Sequence, residues 1–234
     1  MAGTLYLLPC PLADRAIDEV LPDAVIGVGR GVSYFLVENA KSARAFLKAL
    51  GHPRPLRELD IVEIGHTPQT ERARAWLEPV LRGRDAALVS EAGVPAVADP
   101  GANIVAAAHA IGLRVKPLVG PSSLLLALMA SGLNGQSFTF QGYLPVPAAE
   151  RAARLLELER RSRKGETQLF IETPYRSPAM FAAILATCAA STRLALAVDV
   201  TGTAEYISMR PVAEWRKQPA PALERRPAVF SLLA

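Results

Sequence analysis

Five short apolar runs punctuate the first half of the chain: GTLYLLP (3–9), YFLVEN (34–39), DIVEIG (60–65), DAALVS (85–90) and RVKPLVG (114–120). Helical patterns fill the intervals. ADRAIDEVLP (13–22) reads as one short helix. AKSARAFLKALG (40–51) puts Ala43, Phe46, Leu47 and Leu50 on one face, with Gly51 where a helix stops. PQTERARAWLEPVLRG (68–83) reads as a helix that Pro79 should kink or shorten, and PGANIVAAAHAIG (100–112) as another. A strand, a helix and a further strand in succession imply parallel pairing, because the helix returns the chain to its starting edge. The expectation is an N-terminal α/β domain over residues 1–118, built on a parallel sheet.

The rhythm then changes. A helix over SSLLLALMASG (122–132) leads into SFTFQGYLPVP (137–147), a charged helix (148–163), the strand TQLFIET (167–173) and the helix SPAMFAAILATCAA (177–190). RLALAVDV, AEYISMR and PAVFSLL follow as strands with no full crossover helix between them, which predicts a mixed sheet in a C-terminal domain over 119–234.

Hydrophobic residues make up 50% of the chain and charged residues 21%, a balance typical of a soluble domain with a substantial core. The longest apolar run, Leu124 to Ala130, is far too short to span a membrane, and no leader pattern opens the chain, so a cytoplasmic location is expected. Cys10 and Cys188 lack CxxC spacing and His52, His66 and His109 are far apart in sequence, so no metal is expected. The formal charge of +4 is compatible with an acidic partner without requiring one.

Two loops carry more than a turn needs. In parallel sheets ligands gather beyond the carboxyl ends of the strands. SEAGVPAVADPG (90–101) lies at such an end and is longer than the roughly two to six residues that usually join a strand to a helix. Asp99 and Pro100 fit an N-cap and first helical position, which accounts for the end of the loop but not for Ser90 to Ala98. VGPSSL (119–124) supplies Gly120 for an awkward backbone angle and Ser122 as a cap. Neither loop contains GxGxxG or a GxxxxGK[ST] cradle, and only Lys116 brings positive charge nearby. A ligand without phosphate fits such loops better than a dinucleotide, and S-adenosyl-L-methionine is one: its adenosine takes amide and carbonyl contacts, and its sulfonium favours nearby oxygens.

GTLYLLPCPL, LVSEAGVPAVADPG, VKPLVGPSSLLLALMASGL, FTFQGYLP and LFIETPYR, in this order and spacing, resemble the S-adenosyl-L-methionine-dependent methyltransferases of the tetrapyrrole methylase superfamily. The likeness runs from residue 3 to about residue 210 and is strongest to the branch that methylates a ribose 2′-hydroxyl of small-subunit ribosomal RNA. It implies two α/β domains clasping the cofactor in the cleft between them, and a homodimer. It assigns cofactor binding to Pro9, to Ser90, Glu91, Ala92, Gly93, Val97 and Asp99, to Pro121 and Ser122, to Tyr143 and Leu144, and to Glu172 and Thr173. Departures exist. Where RNA-methylating members carry A-E-D-T-R this chain reads VENAK (37–41), keeping only Glu38, and the family's S-D-A-G is SEAG.

Methyl transfer to a hydroxyl needs alignment, exclusion of water and a proton acceptor, but no metal. Glu38 is the candidate base; a carboxylate balancing a helix dipole would look the same in sequence. Lys41 could orient a phosphate or simply face water. The segment 150–165 carries six basic and three acidic side chains, densest at RRSRK, and is the candidate RNA contact; a solvated amphipathic helix is its plain alternative. Tyr175 and Arg176 are candidate cleft residues; Tyr175 is otherwise an ordinary half-buried aromatic. Two other functions fit the same motifs: a methylase for a tetrapyrrole-like small molecule, and a cofactor-binding protein that has lost catalysis.

Overall fold

The computed structural model describes residues 1–234, which divide into two compact units, Met1–Ser122 and Ser123–Ala234. The first unit is built on β1 (Thr4–Leu7), β2 (Tyr34–Val37), β3 (Asp60–Glu63), β4 (Ala86–Val89) and β5 (Arg114–Pro117). These form one sheet in the order β3-β2-β4-β1-β5, with every neighbouring pair parallel. Pleating alternates side chains between its faces. Tyr34, Leu36, Ala86 and Leu88 enter one apolar cluster with Trp76, Leu77 and Ile104, while Phe35, Val37, Ala87 and Val89 enter another with Val25, Leu47 and Leu50. Both faces being covered, β2 and β4 are buried at every position, as a central parallel strand requires. The edge strands β3 and β5 instead carry charge and are partly exposed.

The helices that cover the sheet are α1 (Ile17–Val20), α2 (Asp23–Gly31), α3 (Ala40–Ala49), α4 (Thr70–Leu81) and α5 (Ala102–Ala110). The single helix expected over 13–22 is in fact α1 followed by the longer α2. AVIGVGRG reads as a poor helix because glycine is costly in helix interiors, yet packing selects it: a Cβ at Gly29 would lie 2.7 Å from Leu50 Cδ2. On α3, Ala43 and Leu47 are buried, followed by the capping Leu50, while Phe46 is only partly covered. Pro79 lies inside α4, which runs on for two residues and stops at Leu81.

The second unit holds α6 (Ser123–Ser131), β6 (Phe138–Tyr143), α7 (Ala148–Ser162), β7 (Thr167–Glu172), α8 (Ser177–Thr187), β8 (Arg193–Val198), β9 (Tyr206–Pro211), α9 (Val212–Trp215) and β10 (Ala228–Leu233). Its sheet is mixed, in the order β6-β7-β10-β8-β9, with β6 parallel to β7 and the other pairs antiparallel. Leu194, Leu196 and Val198 of β8 face a core with Leu155, Leu158, Phe181 and Phe230. Phe170 and Phe230 sit opposite one another on neighbouring strands with rings stacked 5.5 Å apart. Buried Glu159 of α7 accepts bonds from the Ala189 amide and the Thr192 hydroxyl, tying that helix to the turn before β8. No helix is long and apolar enough to cross a membrane.

Candidate active site

All five strands of the first sheet run the same way, so their carboxyl ends share one edge, where backbone amides and helix starts are left without strand partners. Three loops are knitted together there. The segment after β1 bridges the loop after β4, Cys10 and Gly93 exchanging backbone hydrogen bonds of 2.8 and 3.1 Å. Gly93 has φ +71°, and a Cβ on it would meet Leu12 at 3.1 Å and the Pro121 carbonyl at 3.4 Å. At Gly120 an added Cβ would lie 2.3 Å from the Pro9 ring, a collision only glycine avoids. The loop after β5 thus lies against both of the others.

The loop after β4 is strained. Ala96 and Ala98 hold φ of 66° and 62°, a left-handed conformation that costs an alanine about 1–2 kcal/mol. Such strain persists where surrounding structure over-determines the backbone and clusters at functional sites. Asp99 does not cap α5. The helix starts at Ala102 after Gly101, whose φ of 126° prevents Pro100 from serving as its first residue. Asp99 is instead half-buried beside the Ser90 hydroxyl, which also donates to the Ala92 carbonyl. Burial, reinforced by the charge of Glu38, pushes its carboxyl up to about 6. Burial, reinforced by Asp99, also pushes the Cys10 thiol well up, leaving it neutral and donating to the Ser90 carbonyl.

Beside these loops, the tips of β2, β3 and β4 converge. Glu38 follows β2 directly and is 8% exposed. Its Oε1 lies 2.6 Å from His66 Nδ1, and its Oε2 accepts the Glu91 amide at 3.0 Å. The start of α3 is capped by Asn39, whose side chain accepts from the amides of Lys41 and Ser42. Ser42 donates to Glu91 Oε1 at 3.0 Å, and Glu63 Oε2 accepts the Ala40 amide at 2.8 Å. The hydrogen bond that His66 donates to Glu38, then the charge of Glu38 and those of Glu91 and Glu63, raise the affinity of the His66 imidazole for its proton. Glu38, His66 and Glu91 each bring one ligand-type atom within 4.8 Å of the others. Glu38 is hydrogen-bonded to the His66 ring and to the Glu91 backbone amide, while the Glu91 carboxylate is engaged by Ser42. Lys41 is exposed on α3.

Metal-ligand spacing alone passes over His66. The available signal was position: it stands two residues beyond the DIVEI run, as Glu38 and Ser90 stand just beyond theirs.

In the second unit β6 and β7 are parallel neighbours, and the remaining candidates sit at their carboxyl ends. Tyr143 ends β6 and is exposed, whereas Leu144 after it is buried. Glu172 ends β7, buried; its Oε1 accepts the Thr173 amide and its Oε2 pairs with Arg176 at 2.8 Å. Arg176 also donates to the Leu144 carbonyl at 3.2 Å, so it ties the two strand tips together. Tyr175 is 82% exposed, not half-buried. On α7, Arg154 is committed to Glu157 and Gln141 and Arg161 to Glu166, leaving Arg160 and, just past the helix end, Arg163 and Lys164 as the exposed cations. A separate groove of about 650 Å³, lined by Phe181, Leu185, Trp215, Pro221 and Leu223 among others, contains none of the strand-tip candidates.

No protein-family model matches the chain. Among solved structures, the methyltransferase CobJ superposes over 99% of the chain and 94% of its own with a TM-score of 0.63 at 18% identity. A diphthine synthase does so over 99% and 90%, with a TM-score of 0.63 at 15% identity. The fold is that of the tetrapyrrole methylases, and the chain is a methyltransferase. Ribosomal RNA small subunit methyltransferase I of Pseudomonas aeruginosa is 32% identical over 213 residues, covering 91% of this chain and 72% of that protein. The Vibrio cholerae protein of the same name is 36% identical over 213 residues, covering 91% and 70%. The chain belongs to the ribosomal RNA small subunit methyltransferase I family.

Proposed function

We propose that the chain transfers the methyl group of S-adenosyl-L-methionine to a ribose 2′-hydroxyl of small-subunit ribosomal RNA. The observation that carries this reading is the carboxyl edge of the parallel sheet. There Pro9, Gly93 and Gly120 bring three loops into mutual contact beside a buried carboxylate paired with an exposed imidazole.

The donor set suits this cofactor. The loops offer backbone amides, the Ser90 hydroxyl and the carboxylates of Glu91 and Asp99, with no lysine or arginine from Pro9 to Leu12, from Ser90 to Gly101 or from Leu118 to Ser122. Carboxylates and carbonyls favour a sulfonium cation and an ammonium group, and their scarcity of positive charge disfavours a triphosphate. Ser90, Glu91, Ala92, Gly93, Val97, Asp99, Pro9, Pro121 and Ser122 would hold the donor from the first unit. Tyr143, Leu144, Glu172 and Thr173 are assigned to the same donor by the sequence resemblance. The donor supplies a methyl carbon already activated by its sulfonium. The protein's part is to align the acceptor, exclude water and receive a proton, for which Glu38 belongs to the acceptor pair. Arg160, Arg163 and Lys164 are the exposed charges available to RNA phosphates. On this reading the protein works in the cytoplasm, where ribosomal subunits assemble, and as a homodimer by resemblance.

The test is incubation with methyl-tritiated donor and unmodified small-subunit ribosomal RNA. Label should enter the RNA and survive alkaline hydrolysis within a dinucleotide, since a 2′-O-methyl group blocks cleavage at its own linkage. Label only in a small-molecule fraction would favour the tetrapyrrole-like acceptor. Donor binding without transfer to any acceptor would favour a protein without catalysis.

A further inference from the structure

The buried Glu38 has spent both of its oxygens inside the protein. Oε1 is engaged by His66 Nδ1 at 2.6 Å and Oε2 by the Glu91 amide at 3.0 Å, with 8% of the residue exposed. A hydroxyl group approaching from solvent meets little of that carboxylate. It meets the imidazole instead, whose side chain is 73% exposed and whose Nε2 has no hydrogen-bond partner in the protein. When Nδ1 donates to Glu38 the neutral ring carries its lone pair on Nε2, facing outward, which is the tautomer a proton acceptor needs. A carboxylate fixing the tautomer and orientation of an imidazole is the arrangement by which many enzymes make histidine a general base.

We infer that His66 is the group that takes the acceptor's proton, and that Glu38 is the positioning residue that holds His66 in register for it. The inference rests on the methyl-transfer reading and names the proton acceptor within it. As the acceptor oxygen bonds to the methyl carbon, the C–S bond of the sulfonium breaks and its electron pair returns to sulfur. His66 Nε2 receives the hydroxyl proton. The imidazolium so formed is stabilised by Glu38 at Nδ1 and by the carboxylates of Glu63 at the end of β3 and Glu91 after β4. His66 then releases the proton to water through its exposed face, so the positive charge that arrived on sulfur leaves as a solvent proton.

Their shared location supports the pairing. Glu38 follows β2, His66 follows β3 by three residues, and Glu91 follows β4 by two, on adjacent parallel strands. Three neighbouring strand tips therefore supply base, holder and the amide that fixes the holder.

The experiment compares the full-length wild-type chain with His66→Ala, His66→Gln and Glu38→Gln in the tritium-transfer assay, with donor affinity measured separately by calorimetry. His66→Ala and His66→Gln should each lower kcat by about 10²–10³-fold, within the usual range for a lost general base, while donor affinity changes less than about twofold. Free imidazole should partly restore turnover to His66→Ala but not to His66→Gln, whose side chain fills the space. In the wild type kcat should rise with pH through an acidic limb lying above the ordinary histidine value of about 6.5. Glu38→Gln should move that limb to lower pH. Proton NMR of the His66 ring reads the same pair without turnover: its titration should also move to lower pH in Glu38→Gln. Full turnover in His66→Ala with the wild-type pH profile would overturn the inference and leave methyl transfer intact. A His66 titration that ignores Glu38→Gln would overturn the pairing. Absence of transfer by the wild type to every RNA would instead remove the functional reading on which the inference rests.

Discussion

The two sheets, five strands each, treat their carboxyl ends differently. In the first unit every strand is parallel, so all five tips face one edge, and Pro9, Glu38, His66, Ser90 and Pro121 accumulate there. In the second, antiparallel pairing reverses β9 and β10 relative to the others, and the candidates are confined to the tips of the parallel pair β6 and β7. Strand direction therefore decides where unpaired amides and loop residues can be pooled. The mixed sheet gains something else, a tightly paired interior in which Phe170 and Phe230 stack across neighbouring strands. One sheet concentrates polar chemistry at an edge, and the other concentrates apolar contact in its middle.

The contrast can be broken by substitution. Phe230→Ala, which empties the centre of the mixed sheet, should cost about 3–5 kcal/mol of stability, measured by urea unfolding. Gly120→Val strikes the loop edge of the parallel sheet, where even a Cβ would overlap the Pro9 ring. It should cost about 1–3 kcal/mol and remove measurable donor binding by calorimetry; a variant that binds donor normally would separate this loop from the site. Replacing the exposed Arg163 and Lys164 with alanine should weaken RNA binding and lower the slope of log affinity against log salt by about one to two, in filter-binding assays at several salt concentrations.

Asp99 gives a sharper comparison, because its effect changes with pH. Its folded carboxyl is raised to about 6 from an ordinary value of 3.8, so the native state holds a proton that the unfolded chain has released. Its contribution to stability therefore falls as pH rises between those values and stays low above about 6. Asp99→Asn should raise the melting temperature more at pH 7.5 than at pH 4, while weakening donor affinity. A uniform shift at both pH values would show that the carboxyl does not titrate as described. Smallest of all, Ala98→Gly should relieve the left-handed backbone at φ 62° and stabilise the chain by no more than about 1 kcal/mol by thermal melting.

Much of this architecture can be read from periodicity. Runs such as AALV and YFLV are buried at every position because both faces of a central parallel strand are covered, and the absence of crossover helices after residue 190 signals the mixed sheet. Long-range packing hides the rest. α2 violates helix propensity with three glycines, and only the approach of Leu50 to Gly29 explains one of them. Asp99 and Pro100 match a cap signature that the φ of Gly101 cancels. His66 and Glu38 are 28 residues apart, and no local pattern announces a hydrogen bond created by strand order. Tyr175 looks like a half-buried aromatic because the sequence does not reveal which side of a turn faces solvent.

The most direct test of the loop-edge account is a backbone-amide NMR titration of the wild-type chain with S-adenosylhomocysteine, the demethylated donor. Chemical-shift changes should concentrate at Cys10, Ser90 to Asp99 and Gly120 to Ser122, with His66 responding weakly. Absence of change at millimolar ligand, or changes gathered around Trp215 and Leu223 in the separate groove, would contradict it.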